Sequence, residues 1–217
     1  VQLAALRRGI LRYTSAYHPR NKDHIPATRP WDPESPFRAH ETKLDEWIRY
    51  LPEELRFTPD VMYRRRPRLA SFVTLHCLFH GCYCDLYRVG SHVVACNQLG
   101  AIPMPLPAHA EPFLASCRRG RLQHAFAICD VISESLNHQP SGHDPVVAIC
   151  ISLAIRVLVI ERQPDDSAKL GLTDEIVHAK LNAAIKCAKE IVPRSVPIRE
   201  LVSSSYEMIL LCLEGRL

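Results

Sequence analysis

Apolar residues recur at intervals of three and four along most of the chain, which is the spacing of amphipathic helices. This spacing predicts helices at residues 1–17, 36–51, 67–89, 113–136, 146–161, 173–191 and 196–213. No segment alternates apolar and polar residues over the length of a strand with hairpin turns at its ends. The pattern therefore predicts an all-α fold, an irregular multi-helix bundle with long proline-rich loops.

Three of these helices carry further detail. The segment 67–89 is apolar or small on nearly every face, as expected for a helix in the middle of a bundle. The helix at 36–51 begins with Pro36, and Ser35 precedes it as the expected N-cap. Trp47 lies on its apolar stripe, so we expect Trp47 to be a buried anchor. Thr173 is the expected cap of the helix at 173–191.

Prolines mark the segments between the predicted helices. Residues 18–36 hold five prolines, a density that no helix interior tolerates, and further prolines occupy 90–112 and 137–145. These three segments and residues 52–66 are predicted to be loops.

Composition and charge narrow the possible classes of protein. The chain has 217 residues, 47% of them hydrophobic and 23% charged, so we expect it to fold as a single helical domain over 1–217. A net charge of +4 is too small to indicate binding to duplex DNA. The basic clusters at 64–68 and 118–121 are interpreted as solvated surfaces. The longest apolar run, 146–160, is shorter than the roughly 20 residues of a membrane span.

The cysteines indicate a reducing environment. There are nine, an odd number, and most lie in apolar, helix-like stretches: Cys77, Cys129, Cys150 and Cys212 among them. This arrangement differs from the disulfide framework of small secreted proteins, so we interpret the cysteines as reduced, buried thiols of a cytosolic or nuclear protein.

One group of residues has the spacing of a metal site. His76, His80 and Cys84 lie four residues apart on the predicted helix 67–89, so their side chains share one face and could meet a single ion. The segment lacks the glutamate of an H-E-x-x-H hydrolase. Packing of small polar residues in a helical core is the alternative interpretation, and both remain open from the residues alone.

Catalytic signatures are missing from the sequence. Cys117, near a predicted helix start, could have a lowered pKa, but no partner base can be assigned to it. There is no G-x-S-x-G motif and no glycine-rich phosphate loop. We therefore expect no catalytic or cofactor-binding residue, and no enzyme.

A series of short segments resembles the fungal-specific transcription factor domain, also called the middle homology region, of zinc-cluster fungal transcription factors. The resemblance covers roughly residues 1–160 and depends on the order of its pieces. These are Leu11-Arg12-Tyr13, the segment 30–37 (PWDPESPF), Leu44-Asp45-Glu46-Trp47, the segment 51–57 (LPEELRF), Leu75-His76 with His80, the segment 84–88 (CDLYR), and Cys117 with Ala125 and Ile128.

The resemblance implies an α-helical, non-catalytic regulatory domain of a nuclear protein. It implies partners among transcriptional coregulators or the rest of the parent factor, and a possible small-molecule effector. The six-cysteine zinc cluster that binds DNA in such factors needs C-x-x-C pairs, and this sequence has none. We therefore expect a C-terminal fragment of the domain with no direct DNA binding, no membrane contact and no cofactor of its own, zinc belonging to the missing DNA-binding domain. The alternative function is a helical metal- or small-ligand-binding protein that uses His76, His80 and Cys84.

Overall fold

The computed structural model describes residues 2–64, 68–102, 106–138, 144–162 and 164–191. Within these ranges the chain forms helices and no strand, which confirms the all-α class. The α-helices are α1 (Gln2–Ala16), α2 (Pro36–Arg49), α3 (Pro59–Arg64), α4 (Leu69–Gln98), α5 (Ala110–Asn137), α6 (Pro145–Arg156), α7 (Pro164–Lys169) and α8 (Asp174–Ile191). The helix predicted at 196–213 lies outside the described residues.

Helix α4 is longer than its sequence pattern predicts. A loop was expected from Gly90 onward, but the helix continues to Gln98, so the loop prediction is wrong over its first nine residues. Gly90 is helical because the helix packs closely there: a Cβ at this position would lie 2.7 Å from the Cys117 Cβ. Further along, Val93 is fully buried. Packing therefore offsets the poor helix propensity of glycine.

The true end of α4 lies at Gly100, which has a φ of 71°. The amide of Ala101 donates to the carbonyl of Cys96 and that of Gly100 donates to Asn97, at 2.9 and 3.0 Å. These two bonds form a Schellman motif, in which glycine occupies the left-handed position that other residues rarely adopt. The second glycine of the segment 90–100, and not the first, is the terminator.

Short helices also occur where loops were predicted: a 3-10 helix covers Pro19–His24, another covers Glu53–Leu55, and α3 adds one to two turns. Helix α7, of similar length, lies in a segment for which the sequence predicted no element. Three of these four helices begin with proline, which is compatible with the first helical turn because its missing N–H has no intrahelical partner there. Helix α5 likewise starts at Ala110 and accommodates Pro112 in its first turn.

The described chain divides into two compact units, and each is considered by itself. Unit 1 comprises Val1–Tyr50 and Cys82–Arg121, and unit 2 comprises Leu51–Gly81 and Leu122–Leu217. Helices α4 and α5 therefore contribute one part of their length to each unit.

In unit 1 an aromatic cluster anchors the proline-rich segment before α2. The Phe37 ring packs edge-on against Phe113, with centroids 4.9 Å apart, and Trp31 packs against the same ring at 6.2 Å. Ser35 caps α2 as predicted by accepting from the amide of Arg38, and its hydroxyl donates to the carbonyl of Pro30 at 2.9 Å. One buried serine thus fixes both the helix start and the loop that leads into it.

In unit 2, α6 packs against α8. The buried core includes one cysteine from each of four helices, α4, α5, α6 and α8: Cys77, Cys129, Cys150 and Cys187. Burial raises the pKa of Cys77 well above its usual range and that of Cys129 to about 12. All eight cysteines among the described residues are buried, and Cys212 lies outside those residues.

Both tryptophans are half-buried. Trp47, predicted to be a buried anchor between this helix and the central one, is less buried than Phe37 and Leu44 on the same helix, which are almost completely buried. Trp31, in the proline-rich segment, is also half-buried and packs against Phe113. The stripe of α2 that faces the core is therefore centred on Phe37 and Leu44.

Replacing Phe37 by alanine is expected to destabilise the chain by about 3–5 kcal/mol, because it removes a large, fully buried aromatic side chain. The matched control is Tyr50→Ala at the end of the same helix, where the side chain is 77% exposed, and it should change stability by no more than about 0.5 kcal/mol. Urea unfolding followed by circular dichroism measures both. Similar losses for the two variants would contradict the described packing of α2.

Candidate functional site

His76, the first of the three metal candidates, is a buried packing residue of unit 2. Its Nε2 lies 2.8 Å from the carbonyl oxygen of Leu55. Its ring lies against Phe57 and Phe72, with centroid distances of 5.5 and 4.6 Å. Burial lowers the pKa of His76, so the neutral imidazole is favoured and can donate to Leu55. His76 therefore attaches the segment around Leu55 to α4.

His80 pairs with a histidine that the sequence pattern did not single out. Its Nδ1 lies 2.9 Å from Nδ1 of His124 on α5, also within unit 2. A bond between two ring nitrogens requires one donor and one acceptor, so the two rings cannot both be protonated. Burial first, and then the neighbouring His124 and His76, lower the pKa of His80 to about 3.

Cys84, the third candidate, belongs to unit 1. Its thiol donates to the carbonyl oxygen of Arg121 at 3.6 Å. Each of the three residues thus contacts a different protein group, although all lie on α4. Across the described ranges, no group of three or more His, Cys, Asp or Glu side chains is arranged to hold a metal ion.

Cys117 is a packing residue and not the activated thiol that a position near a helix start could allow. It lies seven residues after Ala110, the first residue of α5, and burial raises the pKa of its thiol to about 12. Desolvation of the thiolate in the packed interior is the main cause. Arg121 departs from prediction too: it was assigned to a solvated surface, yet it is only 3% exposed.

A polar network connects α2 with α4 in unit 1. Tyr83 donates to the carboxylate of Asp45, and Tyr87 donates to Glu41 at 3.1 Å, while Arg38 pairs with Glu41 at 2.7 Å. Burial raises the pKa of both tyrosines, so they remain neutral hydrogen-bond donors. The sequence analysis missed this network, because nothing in the sequence shows which tyrosine of α4 lies next to which acidic residue of α2.

A pocket of about 530 Å³ lies in unit 2 between the end of the π-helical turn that follows α6, helix α7 and the start of α8. This volume falls within the roughly 300–1,000 Å³ of small-molecule sites. The pocket is lined by Arg162, Ser167, Ala168, Gly171, Leu172, Thr173 and Asp174.

The wall of the pocket is a fixed turn. Gly171 has a φ of 66°, the amide of Leu172 donates to the carbonyl of Ser167 at 2.9 Å, and the amide of Gly171 donates to Ala168. This Schellman motif ends α7, and Thr173 then caps α8, as predicted, by accepting from the amide of Ile176. A motif that ends α7, followed directly by a cap that starts α8, therefore holds the pocket residues in place.

Charges and hydroxyls line this pocket together. The guanidinium of Arg162 lies 2.6 Å from Asp174 Oδ1, and this bond holds the pKa of Asp174 below its usual range. Ser167 is 5% exposed, and its buried hydroxyl makes no hydrogen bond within the described part of the chain. A buried hydroxyl without a partner is uncommon in native proteins and indicates a group that a ligand or water could satisfy.

Of the pocket residues, sequence reasoning identified Thr173 alone. The segment 170–174 (LGLTD), in which a glycine precedes a capping threonine by two residues, is a usable signal for the turn. The approach of Arg162 to Asp174 depends on the tertiary path of the chain, and the sequence gives no local sign of it.

Comparisons with protein-family models, with curated proteins and with solved structures found no match to the chain. Over the residues that the structure describes, none of the helices is both long enough and apolar enough to span a membrane.

The metal alternative has a direct test. If the imidazoles of His76 and His80 and the thiol of Cys84 are packing groups, the purified chain should contain far less than one equivalent of zinc, and a chelator should leave its helical circular dichroism unchanged. Stoichiometric zinc whose removal unfolds the chain would instead favour the metal-binding alternative.

The His80–His124 pair predicts a dependence of stability on pH. Because the folded-state pKa of His80 is about 3, against an ordinary value of 6.5, the unfolded chain binds the proton first as the pH falls. Stability should therefore decrease between about pH 6.5 and pH 3, by at most about 1.4 kcal/mol per pH unit for this one group. Replacing His80 by glutamine should reduce the slope by about one proton, measured by urea unfolding between pH 7 and pH 4.

Proposed function

We propose that the chain is a regulatory, non-catalytic domain of a fungal zinc-cluster transcription factor. In this proposal it acts in the nucleus and modulates transcription through contacts with coregulators, with the rest of its parent factor, or with a small-molecule effector. DNA binding and zinc belong to a separate element of the parent factor.

The observation that carries the proposal is the spatial convergence of the segments that resemble the family. Phe37 and Tyr87, which come from two segments 50 residues apart, have ring centroids 5.9 Å apart in unit 1. In unit 2, Leu55 and Phe57 of one segment both contact His76 of another. A shared helical domain would require such contacts between its characteristic segments, and this agreement supports the proposal.

The state of the reactive groups supports a non-catalytic role. Burial raises the pKa values of Cys77, Cys117 and Cys129 and lowers those of His76 and His80. A nucleophilic thiolate requires the opposite shift, and a general acid or base near neutral pH requires a pKa close to 7. These groups contribute to packing.

The pocket between α7 and α8 supports the effector part of the proposal. It is of small-molecule size, and its polar groups come from a fixed turn and a helix start. A ligand held there would contact α8, which packs against α6 in the core of unit 2. Binding could thus stabilise the unit without any chemical step.

A tethering experiment tests the proposal. The chain is fused to an unrelated DNA-binding domain, and transcription from a reporter that carries the cognate site is measured in fungal cells. We expect at least a threefold change, in either direction, relative to the DNA-binding domain alone. Phe37→Ala should reduce this change because it destabilises the domain, and Tyr50→Ala should preserve it.

The result that would overturn the proposal is a folded fusion protein, present in the nucleus at normal levels, that leaves the reporter unchanged. Helical circular dichroism of the purified fusion and its localisation by microscopy establish those two conditions.

A further inference from the structure

We propose that the pocket between α7 and α8 binds a small zwitterion, an α-amino acid with an apolar side chain, through Arg162, Asp174 and Ser167. The ligand carboxylate would pair with Arg162 and its ammonium group with Asp174. This inference rests on the proposed effector role of the domain, because it names the class of ligand that the effector belongs to. Binding of such a ligand can be measured separately from that role.

The opposite charges of the pocket lining favour a ligand that has no net charge but carries one positive and one negative group. Arg162 and Asp174 both line the pocket, so the two charges of the lining cancel. Glu175 adds a second carboxylate to the first turn of α8, which offsets the attraction of the helix N-terminus for a free anion. A net cation would be repelled by Arg162. A zwitterion can instead pair with both residues and keep the site neutral.

The existing ion pair does not obstruct such a ligand. The bond joins one guanidinium nitrogen, Arg162 Nη2, to one carboxylate oxygen, Asp174 Oδ1, and the side chain of Asp174 is 72% exposed. Exposed single ion pairs contribute little to stability, so separating this pair costs little. The remaining guanidinium hydrogens and the second carboxylate oxygen remain available for a ligand that enters between or beside them.

Ser167 is the independent sign of a ligand. Its side chain is buried, lines the pocket, and lacks a hydrogen-bond partner in the described ranges, so it retains an unused donor and two acceptor positions. A ligand carboxylate or ammonium group would satisfy it. Ala168 and Leu172 supply apolar surface beside these polar groups, which suits an aliphatic side chain.

Isothermal titration calorimetry of the purified full chain with L-leucine tests the inference. We expect saturable binding by L-leucine. L-leucinamide, which lacks the carboxylate, and N-acetyl-L-leucine, which lacks the ammonium group, should each bind at least tenfold more weakly. Equal affinity for all three compounds would contradict the charge assignment, and no binding by L-leucine would overturn the inference.

Variants separate ligand binding from structure. Arg162→Gln and Asp174→Asn should each weaken L-leucine binding at least tenfold. Ser167→Ala should weaken it about tenfold while leaving the melting temperature of the free chain unchanged or raised, because it removes a buried hydroxyl that has no partner. A lower melting temperature together with unchanged affinity would show that Ser167 is purely structural. Lys169→Gln, at an exposed position of α7 outside the pocket lining, is the control and should bind normally.

The two proposals fail in distinguishable ways. Loss of the reporter response in the tethered fusion, with normal L-leucine binding, would contradict the transcriptional role and leave the pocket assignment intact. If instead the unaltered chain does not bind L-leucine and the reporter response persists in Arg162→Gln and Ser167→Ala, the pocket assignment is contradicted and the transcriptional role stays intact.

Discussion

Helix α4 has 30 residues and carries apolar side chains on nearly every face, so it is stable in water only when other segments cover most of its surface. In unit 1 the aromatic residues of α2 and the tyrosine–carboxylate bonds meet its C-terminal part. In unit 2 the residues around Leu55 and the helix α5 meet its N-terminal part. Polar side chains such as His76, His80 and Asp85 are tolerated within it because they have partners: the Leu55 carbonyl, His124 and Arg7.

Much of the fold follows from the sequence because helical periodicity is a local property. The predicted cores of α1, α2, α5, α6 and α8 coincide with observed helices, and the caps at Ser35 and Thr173 have the predicted hydrogen bonds. The errors lie where tertiary packing determines the end of a helix. Gly90 looks like a helix end in the sequence, but its close contact with Cys117 keeps it inside α4.

The candidate sites were less predictable than the fold. Spacing along α4 correctly placed His76, His80 and Cys84 on one helix, but the partners of these residues come from distant segments that spacing cannot reveal. The pocket was missed for a similar reason, since Arg162 and Asp174 are 12 residues apart and lie on either side of α7 in the chain. A local signal identified the cap at Thr173, whereas the pairing of the two charges in the pocket depends on the tertiary path of the chain.

The burial of every described cysteine has one further consequence. A thiol reacts as its thiolate. Burial shields all these sulfur atoms and also raises the pKa of Cys77, Cys96, Cys117 and Cys129, so modification must wait until the surrounding helices separate. The cysteines lie in both units, with Cys96 and Cys117 in one and Cys129 and Cys187 in the other. The alkylation rates of these cysteines would therefore report how often each unit opens locally, without any added label.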